Sequence, residues 1–262
     1  MKVFRQTVEF VSIVMLFLQA CSALTVTATV TALPASPAAT MIPLSRQVLL
    51  TSISFREEGQ APVYVIASQT PRLSGSDDAR VQGFNKEVAE LIRTEVEYFR
   101  KNILTEMPDN PGAGGSSFST QYTLIFQSGP LWSLKFDFAG YAAGAAHPYH
   151  YSITFNYDLE QGRKLSLAEL FPPDSGHLDV ISRYCIAELS KRDIGFYGGF
   201  QQGAEPTPEN YRNWNITGDS LIITFDEYQV GPYAVRPQSV TVPFRELVTI
   251  INPQGPLAMF SH

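Results

Sequence analysis

The chain has 262 residues, of which 44% are hydrophobic and only 17% are charged. With 19 basic against 25 acidic side chains, its formal net charge is −6, so it lacks the excess of cations with which nucleic-acid binders neutralise phosphates. We therefore expect no nucleic-acid partner. The apolar fraction excludes a chain disordered throughout, and two cysteines are too few for a disulfide framework.

The N-terminus has the features of an export signal. Lys2 and Arg5 precede an uncharged apolar run, Phe10–Leu18, as in the positive and hydrophobic regions of a secretory signal peptide. A small residue and then Cys21 follow, an order that resembles the lipobox of bacterial lipoproteins. The sequence predicts a signal peptide over residues 1–20, lipidation of the cysteine and an extracytoplasmic protein anchored to the cell membrane. A simple cleaved signal, which would give a secreted protein, and an uncleaved membrane anchor are the alternatives.

Residues 21–43 have the composition of a tether. They contain no charged or aromatic residue and are rich in Thr, Ala and Pro. Such a segment cannot bury a core, so we expect an extended link between a lipid anchor and the folded part. Removal of residues 1–20 would leave 17 basic and 24 acidic side chains, a net charge of −7.

The first part of the folded region predicts two strands followed by a long helix. The strands are indicated by runs of β-forming residues over 48–56 and 63–68. Two acidic residues then suit the N-terminal end of a helix dipole, and apolar residues recur every three or four positions from Val81 to Ile103. A glycine- and proline-rich loop over 108–117 follows. We expect residues 44–117 to form a first small α+β unit.

Beyond this loop the hydrophobic period changes to two. Three stretches alternate apolar and polar side chains, as antiparallel strands with one buried face do: 122–126, 134–138 and 151–157. A helix is predicted over 177–192, and Cys185 lies on its apolar stripe, where we expect a buried structural thiol. Three more strands are predicted over 214–217, 221–226 and 239–242. Residues 118–262 would form a second unit, so the predicted fold class is α+β with mostly antiparallel sheets and one long helix in each half.

The second unit carries an ordered set of short motifs. They are Gly144-Ala-Ala-His147-Pro148, then Asn156-Tyr-Asp158, then Gly162 to Phe171 with an internal Leu-Ser-Leu, and Tyr228-Gln-Val-Gly-Pro-Tyr233-Ala. Together they resemble the extracytoplasmic domain of unknown function at the C-terminus of RsiV, the lysozyme-sensing anti-sigma factor. That domain also stands ahead of the catalytic domain in a peptidoglycan deacetylase, and the first unit is similar to its usual companion domain. Arg236 departs from the family pattern, because a glycine is expected at that point of the loop.

The resemblance implies an extracytoplasmic module that binds a partner. A lysozyme-like hydrolase is the protein partner that the family implies, and a peptidoglycan glycan is the other; an acidic chain would attract a basic hydrolase. Only nine residues precede the apolar run and none follows His262 in this sequence, so we expect neither an anti-sigma factor nor an enzyme. The alternatives are an accessory or weakly active cell-wall hydrolase or deacetylase, for which Asp137 and Asp226 are candidate carboxylates, and a purely structural envelope protein.

Tyrosines and histidines near turns are the candidate partner-binding residues, because tyrosine offers contact area and a hydroxyl at little rotamer entropy. They are Tyr141, His147, Tyr149, His150, Tyr228 and Tyr233. Gly140 and Gly144 predict a sharp bend or a close backbone approach, which His147 would tie together. On an extended strand His147 and His150 would point to opposite faces, with no third ligand nearby, so no metal is expected. No phosphate-binding or nucleophile motif is present, and we expect no cofactor and no catalytic residue.

Overall fold

The computed structural model describes residues 43–104, 114–194 and 199–260. The predicted signal peptide, the lipidation site at Cys21 and nearly all of the predicted tether lie outside these ranges. Within the described ranges, no helix combines the length and the apolar character that crossing a membrane requires.

A six-stranded sheet in the order β1-β2-β3-β4-β5-β6 forms one layer of the fold. Its strands are β1 (Leu49–Gln60), β2 (Val63–Ser74), β3 (Ser116–Ser128), β4 (Leu131–Tyr141), β5 (Tyr149–Asp158) and β6 (Arg163–Lys164). Neighbouring strands are antiparallel except for β2 and β3, which are parallel. This pair is parallel because helix α1 (Ala79–Tyr98) connects the two strands as a crossover. The strands predicted from alternating hydrophobicity are confirmed.

Helix α1 covers one face of this sheet. Its buried stripe consists of Val81, Phe84, Val88, Ile92 and Val96, and a π-helical segment, Phe99–Leu104, continues it. The Phe84 ring makes edge contacts with the rings of Trp132, Phe155 and Tyr157 at centroid distances of 5.2–6.2 Å. At its N-terminus, the backbone N–H of Arg80 donates to the Asp78 carboxylate at 2.8 Å. The predicted amphipathic helix is therefore confirmed.

A second, three-stranded antiparallel sheet packs with the second helix. It consists of β7 (Trp214–Ile216), β8 (Ser220–Phe225) and β9 (Gln238–Pro243), and the helix is α2 (His177–Leu189). Cys185 of this helix is a free, fully buried cysteine, and burial raises the pKa of its thiol to about 12. The predicted buried structural thiol is confirmed, as is the α+β class with mostly antiparallel sheets and one long helix in each half.

The first sheet continues across residue 117, the predicted limit between two α+β units. Strand β3 begins at Ser116 and pairs with β2 on one side and with β4 on the other. The two hydrophobic clusters divide further along the chain: the one beneath α1 draws on residues 44–159, and nearly all of the other comes from 165–257. The glycine-rich loop therefore connects a helix to a strand inside one β-α-β unit.

A buried polar network joins the two sheets. The hydroxyl of Ser133 on β4 donates to Asn156 Oδ1 at 2.6 Å and accepts from Asn215 Nδ2 at 2.9 Å and from the Ile216 N–H at 3.1 Å. Asn156 Nδ2 in turn donates to the carbonyl of Trp214 at 2.7 Å. Because buried polar groups without partners are costly, this network determines where β7 lies on the first sheet.

Replacing Ser133 with Ala removes one hydroxyl that serves three partners. We expect Ser133→Ala to lower the free energy of unfolding by about 2–4 kcal/mol, because each buried group left unpaired costs roughly 1–3 kcal/mol. Urea unfolding measures the change. Ser54→Ala, at an exposed position of β1, is the matched control and should change the free energy by less than about 0.5 kcal/mol. An equal effect of the two substitutions would contradict the role of the network.

Candidate functional site

Among the described residues, no strand lies beside the outer edge of the first half of β5, since β6 pairs only with the last two residues of β5. Two acidic side chains that follow β8 take the place of that strand. The backbone N–H of His150 donates to Glu227 Oε2 at 3.0 Å, and the backbone N–H of Ser152 donates to Asp226 Oδ1 at 2.9 Å. His150 Nδ1 also lies 2.8 Å from the other oxygen of Glu227, to which it donates. We call Asp226 and Glu227 the carboxylate clamp.

The Asp226 carboxylate is buried and accepts hydrogen bonds from three residues. Besides the Ser152 N–H, it accepts from Asn213 Nδ2 at 2.9 Å and from Arg212 Nη2 at 3.2 Å. Burial raises the pKa of Asp226 above its usual value, and the hydrogen bonds from Ser152 and Arg212 oppose that rise. Asp137, the other carboxylate considered for hydrolysis, is half exposed and forms an ion pair with a lysine of β4 at 2.6 Å.

The clamp holds the loop over residues 226–236 against the start of β5. Gln229 anchors the loop further, since its side-chain amide donates to two backbone carbonyls, one of them that of Gly203 at 2.9 Å. A Cβ on Gly203 would lie 1.7 Å from the Gln229 carbonyl oxygen, so only glycine fits there. Tyr228 and Arg236 have φ values of 65° and 58°, a region that favours glycine. This conformation explains why a glycine is expected in place of the arginine.

Three of the predicted binding residues form one aromatic group, which we call the ring cluster: His147, Tyr228 and Tyr233. The His147 ring stacks on the Tyr233 ring at a centroid distance of 4.0 Å, and the two tyrosine rings are 6.0 Å apart. His147 Nδ1 lies 2.8 Å from the carbonyl oxygen of Pro148 and Nε2 lies 3.2 Å from the Tyr228 hydroxyl. Since a carbonyl oxygen only accepts, Nδ1 carries a proton and donates to it.

An open groove of about 720 Å³ adjoins the ring cluster. Its floor is the polar face of the first sheet, and its wall is built from β5 and the clamped loop. The floor includes Ser119, Gln121, Lys135, Asp137 and Ser152, and the wall includes Pro148, His150, Glu227, Tyr233 and Arg236. The alternation in the sequence predicted that these strands turn polar side chains away from the core, which the structure confirms.

Two basic side chains of the groove have acidic partners, and a third has none among the described residues. Lys135 pairs with Asp137 at 2.6 Å, and His150 with Glu227 at 2.8 Å. The exposed guanidinium of Arg236 forms no ion pair within the described ranges. The groove therefore offers one cation to a ligand.

Two other predicted binding residues, Tyr141 and Tyr149, lie apart from the ring cluster. The Tyr149 ring covers Gly140, where a Cβ would come within 2.1 Å of it, and stacks with Tyr151 on the face turned towards α1. Burial raises the pKa of Tyr149 to about 12. Tyr141 is the last, half-buried residue of β4. The close approach at Gly140 is confirmed, and Gly144 turns the chain with a φ of 85°.

Sequence reasoning noted Arg236 as a departure from the family pattern but placed neither Arg236 nor Glu227 among the partner-binding residues. Their signals were an acidic pair directly after a strand and an arginine where glycine is expected. His147 and His150, considered as metal ligands, bind different partners, a tyrosine hydroxyl and a carboxylate. In the part of the chain that the structure describes, no three His, Cys, Asp or Glu side chains are grouped to hold a metal ion.

Known proteins share parts of this sequence. Residues 168–245 match the family described as "Protein of unknown function (DUF3298)". Peptidoglycan-N-acetylmuramic acid deacetylase PdaC of Bacillus subtilis is 27% identical over 141 residues, which cover 53% of this chain and 30% of that protein. Esterase Rv3036c of Mycobacterium tuberculosis is 33% identical over 100 residues, which cover 38% of this chain and 44% of the esterase. The chain thus spans less than half the length of either relative.

Solved structures share its fold. A DUF3298 family member from Bacteroides fragilis superposes with a TM-score of 0.63 at 15% identity, covering 82% of this chain and 97% of that one. A DUF3298 family protein from Pseudomonas aeruginosa gives a TM-score of 0.55 at 16% identity, covering 79% and 95%. At these identities the likeness concerns the fold alone. Residues 168–245, which match the DUF3298 family model, include the clamped loop that bears Tyr228 and Tyr233.

Proposed function

We propose that the protein is a non-catalytic binding module of the bacterial cell envelope, anchored to the membrane through lipid on Cys21. One observation carries the proposal: the ring cluster stands beside an open groove, and its two tyrosines lie on a loop that the carboxylate clamp and Gln229 hold in place. Aromatic side chains presented on an anchored loop suit recognition, because little conformational entropy is lost when a partner binds. A secreted form without lipid would use the same surface.

The partner that we propose is a lysozyme-like hydrolase or a peptidoglycan glycan. The motifs that resemble the lysozyme-sensing domain of RsiV favour the hydrolase, and the net charge of −7 expected after signal cleavage would speed its encounter with a basic protein. The relative named as a peptidoglycan deacetylase favours the glycan. A polar floor beside an aromatic wall suits a sugar chain as well as a polar protein loop.

Binding of lysozyme by titration calorimetry, and of purified peptidoglycan by co-sedimentation, tests the proposal. We expect Tyr228→Ala and Tyr233→Ala each to weaken the observed binding about tenfold or more, because exposed aromatic anchors contribute much of the affinity of a recognition surface. Tyr98→Ala is the matched control, since Tyr98 on α1 is 57% exposed and Tyr228 is 61% exposed. The proposal fails if neither partner saturates the protein at high micromolar concentration, or if Tyr98→Ala weakens binding as much.

The second candidate function is hydrolysis, and one contact favours it. His150 Nδ1 lies 2.8 Å from the buried carboxylate of Glu227 at the wall of the groove. A histidine oriented by a buried carboxylate is the general-base half of many hydrolytic sites. No serine or cysteine of the described ranges has a hydrogen bond to this histidine, so water would be the nucleophile.

A rate measurement separates the two functions. The binding module predicts that 4-nitrophenyl acetate, and the acetyl groups of peptidoglycan, are hydrolysed no faster than in buffer. The hydrolytic alternative predicts a measurable rate that falls about 100-fold in His150→Gln, because general-base catalysis contributes that much. His147→Gln is the control, since that ring hydrogen-bonds to a tyrosine and a carbonyl instead of a carboxylate. Turnover lost in His150→Gln and kept in His147→Gln would overturn the non-catalytic proposal.

A further inference from the structure

We infer that the groove binds a sugar ring that carries a carboxylate, and that Arg236 recognises the carboxylate. The inference rests on the proposed binding function and specifies the class of ligand. Three features of the described residues carry it: the unpaired charge of Arg236, its backbone conformation and the aromatic and polar side chains that line the groove with it.

The first feature is the charge. Lys135 and His150 are already paired with carboxylates of the groove, at 2.6 and 2.8 Å, while Arg236 is exposed and has no ion-pair partner among the described residues. A guanidinium presents paired N–H donors whose geometry matches a carboxylate. A ligand with one carboxylate would therefore pair with the guanidinium of Arg236.

The second feature is the backbone. Arg236 has φ 58° and ψ 175°, a combination that glycine adopts and that other residues adopt only under strain. The surroundings hold it there: its N–H donates to the Tyr233 carbonyl at 3.0 Å, and Gln238 Nε2 donates to the Val235 carbonyl at 2.7 Å. Strain of this kind persists only where the surrounding structure holds it, and it clusters at ligand-binding sites.

The third feature is the neighbourhood of the charge. Tyr233, which is three residues before Arg236, puts an aromatic ring on the same wall, and Ser119, Gln121 and Ser152 put hydroxyl and amide groups on the floor. A sugar offers both a C–H face for an aromatic ring and hydroxyls for polar side chains. A neutral sugar would leave the guanidinium unpaired, whereas an acidic sugar would use the guanidinium, the aromatic ring and the polar floor.

Carboxylates occur on sugars of two sources, the lactyl group of muramic acid and the uronic acids of polysaccharides. Calorimetry with three disaccharides separates them: N-acetylglucosaminyl-N-acetylmuramic acid, glucuronosyl-N-acetylglucosamine and the neutral N,N′-diacetylchitobiose. We expect at least one acidic disaccharide to bind about tenfold or more tightly than the neutral one, since a charge-assisted hydrogen bond contributes that much. The acidic sugar that binds more tightly identifies the source.

Arg236→Gly tests the residue directly. We expect it to abolish the preference for acidic sugars and to raise the melting temperature by about 2–4 °C, because glycine relieves the strain. Asp174→Gly is the matched control: Asp174 also has a φ of 58° and is exposed, but it does not line the groove. It should leave the preference unchanged.

The inference is overturned if acidic and neutral disaccharides bind equally, if neither acidic disaccharide binds at millimolar concentration, or if Arg236→Gly retains the preference. In each of these cases the proposed function still stands when peptidoglycan or lysozyme binds and Tyr233→Ala weakens that binding. Absence of binding to both peptidoglycan and lysozyme overturns the proposed function itself.

Discussion

The outer edge of β5 is the constraint on which the candidate site depends. The N–H groups of His150 and Ser152 point away from β4 and meet no strand, yet buried backbone donors need partners. Asp226 and Glu227 accept these N–H groups from the end of β8. Because the two acceptors are consecutive residues, they also determine where the next residue, Tyr228, leaves the second sheet. The binding loop is thus positioned by the same contacts that complete the edge.

The polar contacts between the two sheets determine how the sheets are placed on one another, which apolar contacts alone would not do. The Ser133 hydroxyl holds β7 at one point of the interface, and the carboxylate clamp holds the end of β8 at another. Apolar surfaces can slide at little cost, whereas a buried polar network is favourable in one arrangement only. Two such points place the ring cluster beside the groove, and Gly203 allows Gln229 to pack closely behind the loop.

Local patterns predicted much of this fold and only part of the site. Alternation revealed β3 to β5, and helical spacing revealed α1 and α2, because each pattern reflects burial within one element. The continuous sheet across residue 117 was missed, since a glycine-rich loop can connect two elements of one unit as readily as two units. The pairing of His150 with Glu227, 77 positions apart, leaves no local signal. Strand parity does explain why Tyr149 faces α1 while His150 faces the groove.

The most direct test of the account is the substitution Glu227→Ala, which leaves both tyrosines of the ring cluster in place. The account predicts that the backbone amides of residues 227–236 exchange hydrogen about tenfold faster or more, because a hydrogen bond to a charged group is lost, and that partner binding weakens with them. Glu246→Ala, which removes an exposed carboxylate paired with Arg245, should change neither quantity. Unchanged exchange in this loop, or unchanged partner binding by the Glu227→Ala protein, would contradict the claim that the clamp positions the binding surface.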